Sequence, residues 1–153
     1  MVIKMKVISG GQTGVDRGAL EGARDAQLVT GGYAPKNFLT ETGPDITLKQ
    51  YNLIDSGLGY VGRTELNARY SDGTIWIGDK DSAGYVATKR SCAKSGKVFI
   101  HHVSVDDTVS RIKTYDWVTI NFAGSRESKS LGIQKIARKI VYDVMMKLKP
   151  LGR

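Results

Sequence analysis

Short apolar, β-branched runs alternate with helix-period segments about five times along this chain, and glycine cuts several of the runs off. A strand that returns after every helix has crossed over and lies parallel to its predecessor. The alternation therefore predicts a doubly wound α/β fold, a mostly parallel sheet with helices on both faces. The first strand is expected from Lys4 to Ser9, stopped at Gly10-Gly11. The first helix follows from about Gly14 to Ala26, with Val15, Ala19, Gly22 and Ala26 on one face and Gly18 and Ala23 widening it. Each glycine inside a helix costs about 0.5–1 kcal/mol relative to alanine. Those in this helix imply a compensating close approach, to the sheet or to a ligand.

The second strand is expected over Leu28 to Thr30, before Gly31-Gly32. Asn37 to Gly62 reads as a long irregular stretch, a lid or oligomer contact with some local structure around Ile46 to Leu53. A helix is expected from Thr64, as N-cap, to Tyr70. Later elements are a strand over Gly73 to Ile77, a helix over Ala83 to Ser95, a strand over Lys97 to His101 and a short helix from Ser104 to Tyr115. A strand over Trp117 to Phe122 and a final helix over Leu131 to Leu148 complete the order. Ile133, Ile136, Ile140, Val144 and Leu148 form the apolar stripe of that last helix.

A length of 153 residues fits one domain, residues 1–153. No apolar run approaches the ~20 residues needed to span a bilayer, so no membrane partner is expected. The N-terminus alternates Lys4 and Lys6 with apolar residues, unlike a secretory signal. A single cysteine, Cys92, excludes an intrachain disulfide and a cysteine metal cluster. The expected compartment is the cytoplasm. The net charge of +8 favours an anionic partner, nucleic acid or a phosphorylated small molecule. Much of that charge falls on the last helix, at Lys129, Lys135, Arg138, Lys139, Lys147 and Lys149. With no aromatic-basic interleaving beside it, a solvated helix face is the better reading than a nucleic-acid site.

In a doubly wound sheet, ligands bind outside the carboxyl ends of the strands. The first loop there runs from Ser9 through Gly10, Gly11, Gln12, Thr13 and Gly14 to Asp16, Arg17 and Gly18. Glycines let the backbone approach a phosphate, and free amides at the helix start point at it. Thr13 to Asp16 reads equally as a capping box that only closes the helix. The second loop holds Asn121, Gly124, Ser125, Arg126, Glu127 and Ser128, where Arg126 suits bidentate oxyanion recognition. Its alternative is a polar cap for the last helix. Ser82 and Gly84 form a third candidate, with an ordinary helix cap as the competing reading. Gly32, Tyr33 and Lys36 form a fourth, with Tyr33 placed to stack on a ring and Lys36 to reach a phosphate. Arg63 to Asn67 and Ser71-Asp72 form a weak fifth. His101 and His102 point to opposite faces of a strand end, so they do not share a metal. Cys92, Trp76 and Trp117 read as packing residues.

Taken in order, these segments resemble the molybdenum carrier family, also called molybdenum cofactor carrier proteins. The resemblance rests on Ile8 to Leu20, Thr30 to Lys36, Arg63 to Asn67, Ser71 to Thr74, Asn121 to Ser128 and Gly132-Ile133. The family belongs to a wider Rossmann-like group that includes lysine-decarboxylase-like phosphoribohydrolases. The resemblance implies a carrier that binds and stores the molybdenum cofactor (Mo-molybdopterin), a pterin dithiolene with a terminal phosphate. It implies molybdenum enzymes as recipients and a homo-oligomeric carrier. It places the phosphate on the amides of Gly10 to Gly14 with Ser9 and Thr13 donating, the oxyanion end or a second phosphate on Arg126 and Ser128, and Tyr33 on the pterin.

The chain departs from relatives at Ser82-Ala83-Gly84-Tyr85, where Tyr85 is expected to fill part of the pocket. It also lacks the hydrolases' Pro-Gly-Gly-x-Gly-Thr-x-x-Glu segment, since Asp81 to Arg90 contains no Glu. A binding protein is thus the expectation. A nucleoside-phosphate hydrolase using Asp16 or Glu127, or a nucleotide-sensing module, is the alternative.

Overall fold

In the computed structural model, which describes residues 4–149, the chain runs β1 (Lys6–Ile8), α1 (Val15–Asp25), β2 (Val29–Ala34), β3 (Leu39–Thr40), β4 (Gly43–Pro44) and β5 (Leu53–Asp55). It continues with α2 (Tyr60–Arg69), β6 (Gly73–Ile77), α3 (Ala83–Ser95), β7 (Val98–His101), α4 (Val105–Tyr115), β8 (Thr119–Gly124) and α5 (Ile133–Leu148). Six strands form one sheet in the order β5-β2-β1-β8-β6-β7, and every pairing in it is parallel. β3 and β4 form a separate antiparallel hairpin.

The chain lays β1, β2 and β5 outward in one direction, then crosses to place β6 and β7 on the other side. β8 returns between β1 and β6. Connections leave these central strands in opposite directions, which opens a crevice at their carboxyl ends. α1, α4 and α5 cover one face, while α2 and α3 cover the other. Val7, Ile75, Ile120 and Phe122 are fully buried between sheet and helices, together with Val15, Ala19, Val141 and Val144. A smaller core of Leu20, Phe38, Leu48, Tyr51 and Leu53 lies under the segment that follows β2. Among the described residues, no helix is long and apolar enough to cross a membrane.

The α1 glycines serve a helix, not the sheet or a ligand. A Cβ on Gly18 would lie 2.2 Å from the Gln134 carbonyl oxygen, and one on Gly22 2.3 Å from that of Arg138. Both acceptors belong to α5, so the backbones of α1 and α5 cross in direct contact. The basic residues of α5 are largely paired: Arg138 Nε with Asp25 at 2.6 Å, Lys139 with Asp143 at 2.9 Å and Lys147 with Asp106 at 2.5 Å. That pairing fits an ion-paired, solvated face.

Gly31-Gly32 lies inside β2, which reaches Ala34. Gly32 has φ +121°, and a Cβ there would lie 2.3 Å from Ser9 O, so glycine lets β2 follow the end of β1 closely. The stretch after Asn37 holds the hairpin, a 3₁₀ segment over Ile46–Tyr51, β5 and the first turn of α2. α2 begins at Tyr60 after Gly59, with no side-chain cap, so Thr64 sits inside the helix. Thr13 and Asp16 form no capping box: Gly14 precedes α1 without a side-chain cap bond.

Candidate functional site

A cavity of about 280 Å³ opens at the carboxyl ends of β1, β8 and β6, between α2 and α3. Asn121 to Gly124 of β8 and Trp76 of β6 supply one side, and Ala83, Gly84, Ala87 and Thr88 of α3 another. Tyr60, Arg63, Thr64 and Asn67 face it from α2, spaced as one face of a helix. Gly10, Gln12, Asp16 and Arg126 close its polar end.

Three charges meet there. Arg63 is 7% exposed and Asp16 9%, and Arg63 Nη1 lies 3.8 Å from Asp16 Oδ2. The same Nη1 donates to Gly10 O at 2.6 Å. A Cβ on Gly10 would sit 2.2 Å from that nitrogen, so glycine is what leaves room for the guanidinium. Tyr60 lies under both cations, its ring centroid 5.6 Å from the Arg63 guanidinium carbon and 5.1 Å from that of Arg126. Burial pushes the Asp16 carboxyl above the usual carboxylate range; Arg63, the Gln12 amide, Arg126 and Arg17 oppose this without cancelling it. Burial likewise lowers Arg63, with Asp16 opposing. Each ion is thus incompletely compensated, and the cations outnumber the carboxylate at this end.

Two buried N–H groups on cavity-lining residues lack acceptors. Gln12 Oε1 takes the amides of Thr13 at 3.1 Å and Glu41 at 2.8 Å, which fixes the side chain and leaves Nε2 without a partner. Trp76 Nε1 is also without one. A buried, unsatisfied donor costs about 1–3 kcal/mol. An acceptor brought by a ligand offsets that cost.

Of the residues singled out in the sequence, Gly10, Gln12, Gly84, Gly124 and Arg126 line the cavity, and so do Asp16, Asn121 and, from the weak fifth candidate, Arg63, Thr64 and Asn67. The rest of the expected binding set lies elsewhere. Ser9 is fully buried, and its Oγ donates to Asp16 O at 2.8 Å. A Cβ on Gly11 would meet Leu53 and Leu48 within 3 Å, so this glycine faces the smaller core. Arg17 pairs with Asp45 at 3.1 Å and donates to Gly11 O. Tyr33 packs on Tyr70 with centroids 5.7 Å apart, in a separate hollow with Lys6 and Thr119. Lys36 is exposed. Ser82 caps α3 through the Tyr85 amide, and Ser125 Oγ accepts from the Asp79 amide. Tyr85 does not fill the cavity; it packs edge-on against Trp76, Phe99 and His101. Cys92 is fully buried, and burial pushes its thiol up.

Of the loop amides expected to seat a phosphate, those of Gln12, Thr13 and Gly14 are engaged by the protein, as is that of Val15 beyond them. The Gln12 amide donates to Asp16 Oδ2, that of Thr13 to Gln12 Oε1, that of Gly14 to Gln134 Oε1 and that of Val15 to Ser125 O. Thr13 and Ser128 donate their hydroxyls to Glu41. The anion-attracting groups at the cavity are instead Arg63 and Arg126. Arg63 and Asn67 belonged only to the weak fifth candidate, Trp76 was read as a packing residue, and Tyr60 had no place in the expected binding set. The signal for the α2 residues was the Tyr60, Arg63, Thr64, Asn67 spacing, hidden by starting the helix at Thr64.

Glu127 is not at the cavity. Its carboxylate caps α5, accepting from the Gly132 amide at 2.6 Å and the Gln134 amide at 2.9 Å. Glu127→Ala is expected to cost about 1 kcal/mol, as loss of a helix cap does, in urea denaturation. Ligand affinity at the cavity should stay unchanged.

No curated protein matches the chain. A crystal structure from Syntrophus aciditrophicus SB, of a protein named "Putative molybdenum carrier protein", shares the fold with a TM-score of 0.81. Its identity is 31%, over 95% of this chain and 96% of that one. The profile of the cpYpsA family matches residues 7–145, from β1 into α5. The match of that profile over residues 7–145 makes this chain a member of the circularly permutated YpsA SLOG family.

Proposed function

We propose that the cavity binds a phosphate-bearing heterocycle, and that the chain is a binding and carrier protein for the molybdenum cofactor. The observation that carries this reading is the pairing of two guanidinium groups with one carboxylate at the polar end of a largely apolar cavity. The net positive charge this leaves attracts a phosphate, and arginine's planar fork suits its oxygens. Tyr60, Trp76 and Phe122 offer flat apolar surface to a ring, while Gln12 Nε2 and Trp76 Nε1 await acceptors of the kind a pterin edge presents. The volume of about 280 Å³ lies just below the usual range for ligand pockets, about 300–1,000 Å³. The residues present therefore fit the cofactor's phosphate and pterin. The name carried by the Syntrophus protein supports the choice of ligand. On this reading, molybdenum enzymes are the recipients and the carrier is a homo-oligomer.

The test is anaerobic titration with isolated cofactor, read by tryptophan fluorescence. Arg126→Ala should weaken binding by about 10–100-fold, the loss of one charged hydrogen bond of roughly 1.5–3 kcal/mol. Unchanged affinity would remove Arg126 from the site. Asp16 gives the hydrolase alternative its one supporting observation, a buried carboxyl with a raised pKa inside the cavity. Release of free base from a nucleoside monophosphate would favour that reading over a carrier.

A further inference from the structure

Glu41 sits at the tip of the β3–β4 hairpin. Its carboxylate accepts from Thr13 Oγ1, from the Ser128 amide at 3.2 Å and from Ser128 Oγ. Thr13 comes from the β1–α1 loop and Ser128 from the β8–α5 loop. Gly14 allows the two loops to touch: with φ +93°, it would place a Cβ 2.4 Å from Ser125 O and 2.6 Å from the Glu127 amide nitrogen. Three donors from two loops, with the Arg126 charge acting on the same carboxylate, are what a protein offers to a phosphate. Here a side chain of the protein takes them.

Glu41 behaves as a bound anion. Burial pushes its carboxyl up, but the bonds from Ser128 and Thr13 outweigh this and hold it below the usual range. The seat also connects to the cavity. Glu41 N donates to the Gln12 oxygen that also takes Thr13 N, and both Gln12 and Arg126 line the cavity. A group that binds Gln12 or Arg126 thus acts on the residues that hold the hairpin tip. At the hairpin's base, Asn37 and Phe38 both have left-handed φ, 62° and 55°. For an aromatic residue such a conformation costs about 1–3 kcal/mol and persists only where its surroundings impose it. Burial of Phe38 and the Glu41 contacts supply that constraint.

We propose that Thr13, Ser128 and Arg126 form an oxyanion subsite that Glu41 fills in the ligand-free protein, and that an anionic group of the ligand other than the phosphate seated in the cavity displaces Glu41 and frees the hairpin. The proposal rests on the cavity reading for how the ligand enters, but the seat can be probed separately with inorganic phosphate. Calorimetric titration of phosphate would compare the wild type, Glu41→Gln, and Glu41→Gln combined with Ser128→Ala. Removing the internal competitor should tighten phosphate binding about tenfold or more, equivalent to roughly 1.4 kcal/mol. The double variant should lose that gain.

Equal phosphate affinity in Glu41→Gln and wild type would overturn the subsite, and so would a gain that survives Ser128→Ala. Should the variant not fold, hydrogen exchange on the wild type decides. Amides of residues 39–43 should exchange faster in saturating phosphate, and unchanged protection with phosphate bound overturns the proposal. The cavity reading fails by a different result: isolated cofactor that binds neither wild type nor Glu41→Gln, while the phosphate gain at Ser128 stands.

Discussion

Gly18→Ala combined with Gly22→Ala should destabilise the protein by about 4 kcal/mol, since overpacking costs roughly 1–3 kcal/mol per site. In an isolated helix the same changes would be favourable, by about 0.8–1.0 kcal/mol each. The sign reverses because each new methyl would press on an α5 carbonyl oxygen, at 2.2 and 2.3 Å. Neither oxygen can turn aside as a flexible side chain would, so α1 and α5 must separate along their whole contact. At this chain length the loss corresponds to a fall of roughly 8–16 °C in Tm. Gly96→Ala is the control. Gly96 has φ +69°, and a methyl there would meet nothing within 4 Å. It should lose only the left-handed strain, about 1–2 kcal/mol. A double variant as stable as the wild type would mean that the two helices do not cross this closely.

Arg63→Leu should cost about 3–5 kcal/mol at neutral pH, the usual penalty for stranding one partner of a buried ion pair. It should also abolish binding of phosphate-bearing ligands at the cavity. The stability loss has a defined pH dependence. Asp16 already titrates above its ordinary value of 3.8, because burial outweighs Arg63 and the other cations. Removing Arg63 raises it further. An acid whose folded pKa exceeds its unfolded one favours the fold when protonated. That contribution is complete below about pH 3.8 and is lost as pH rises through the folded value. The deficit of Arg63→Leu against wild type should therefore be small near pH 4 and grow towards neutrality. Adding Asp16→Asn should recover much of it at pH 7. Urea midpoints across that range measure the effect; a deficit independent of pH would mean that Arg63 stabilises by packing alone.

The sheet was legible because its strands are short β-branched runs bounded by glycine or polar turns. The strand over Gly73 to Ile77 and the helix over Ala83 to Ser95 begin and end as the residues predict. β5 was not legible, because Leu53-Ile54-Asp55 is three residues long and its pairing with β2 is supplied by the fold. The start of α2 was hidden for a related reason. Gly59 provides no capping side chain, whereas Thr64 further along looks like a cap. That one displacement left Tyr60 out of the expected binding residues and Arg63 outside the expected helix.

The first glycine loop was correctly placed at the rim, but composition could not say which of its donors stay free. The answer depends on Gln134 and Glu41, residues more than 25 positions away in sequence. Arg126 was recognisable because it follows a strand and a glycine. Its neighbour Glu127 looked equally available, yet three-dimensional proximity commits it to the start of α5.

The place of β8 in the sheet bears on how the polypeptide is made. Among the described residues, β5-β2-β1 and β6-β7 join only through β8, the last of these strands to be translated. At about 5–20 residues per second, the ribosome releases two unjoined half-sheets, each with a bare backbone edge, before residues 119–124 emerge. Such edges template pairing with other chains. Nascent molecules are therefore most prone to aggregate just before residues 119–124 emerge, and a stop codon anywhere ahead of β8 would leave both halves unclosed.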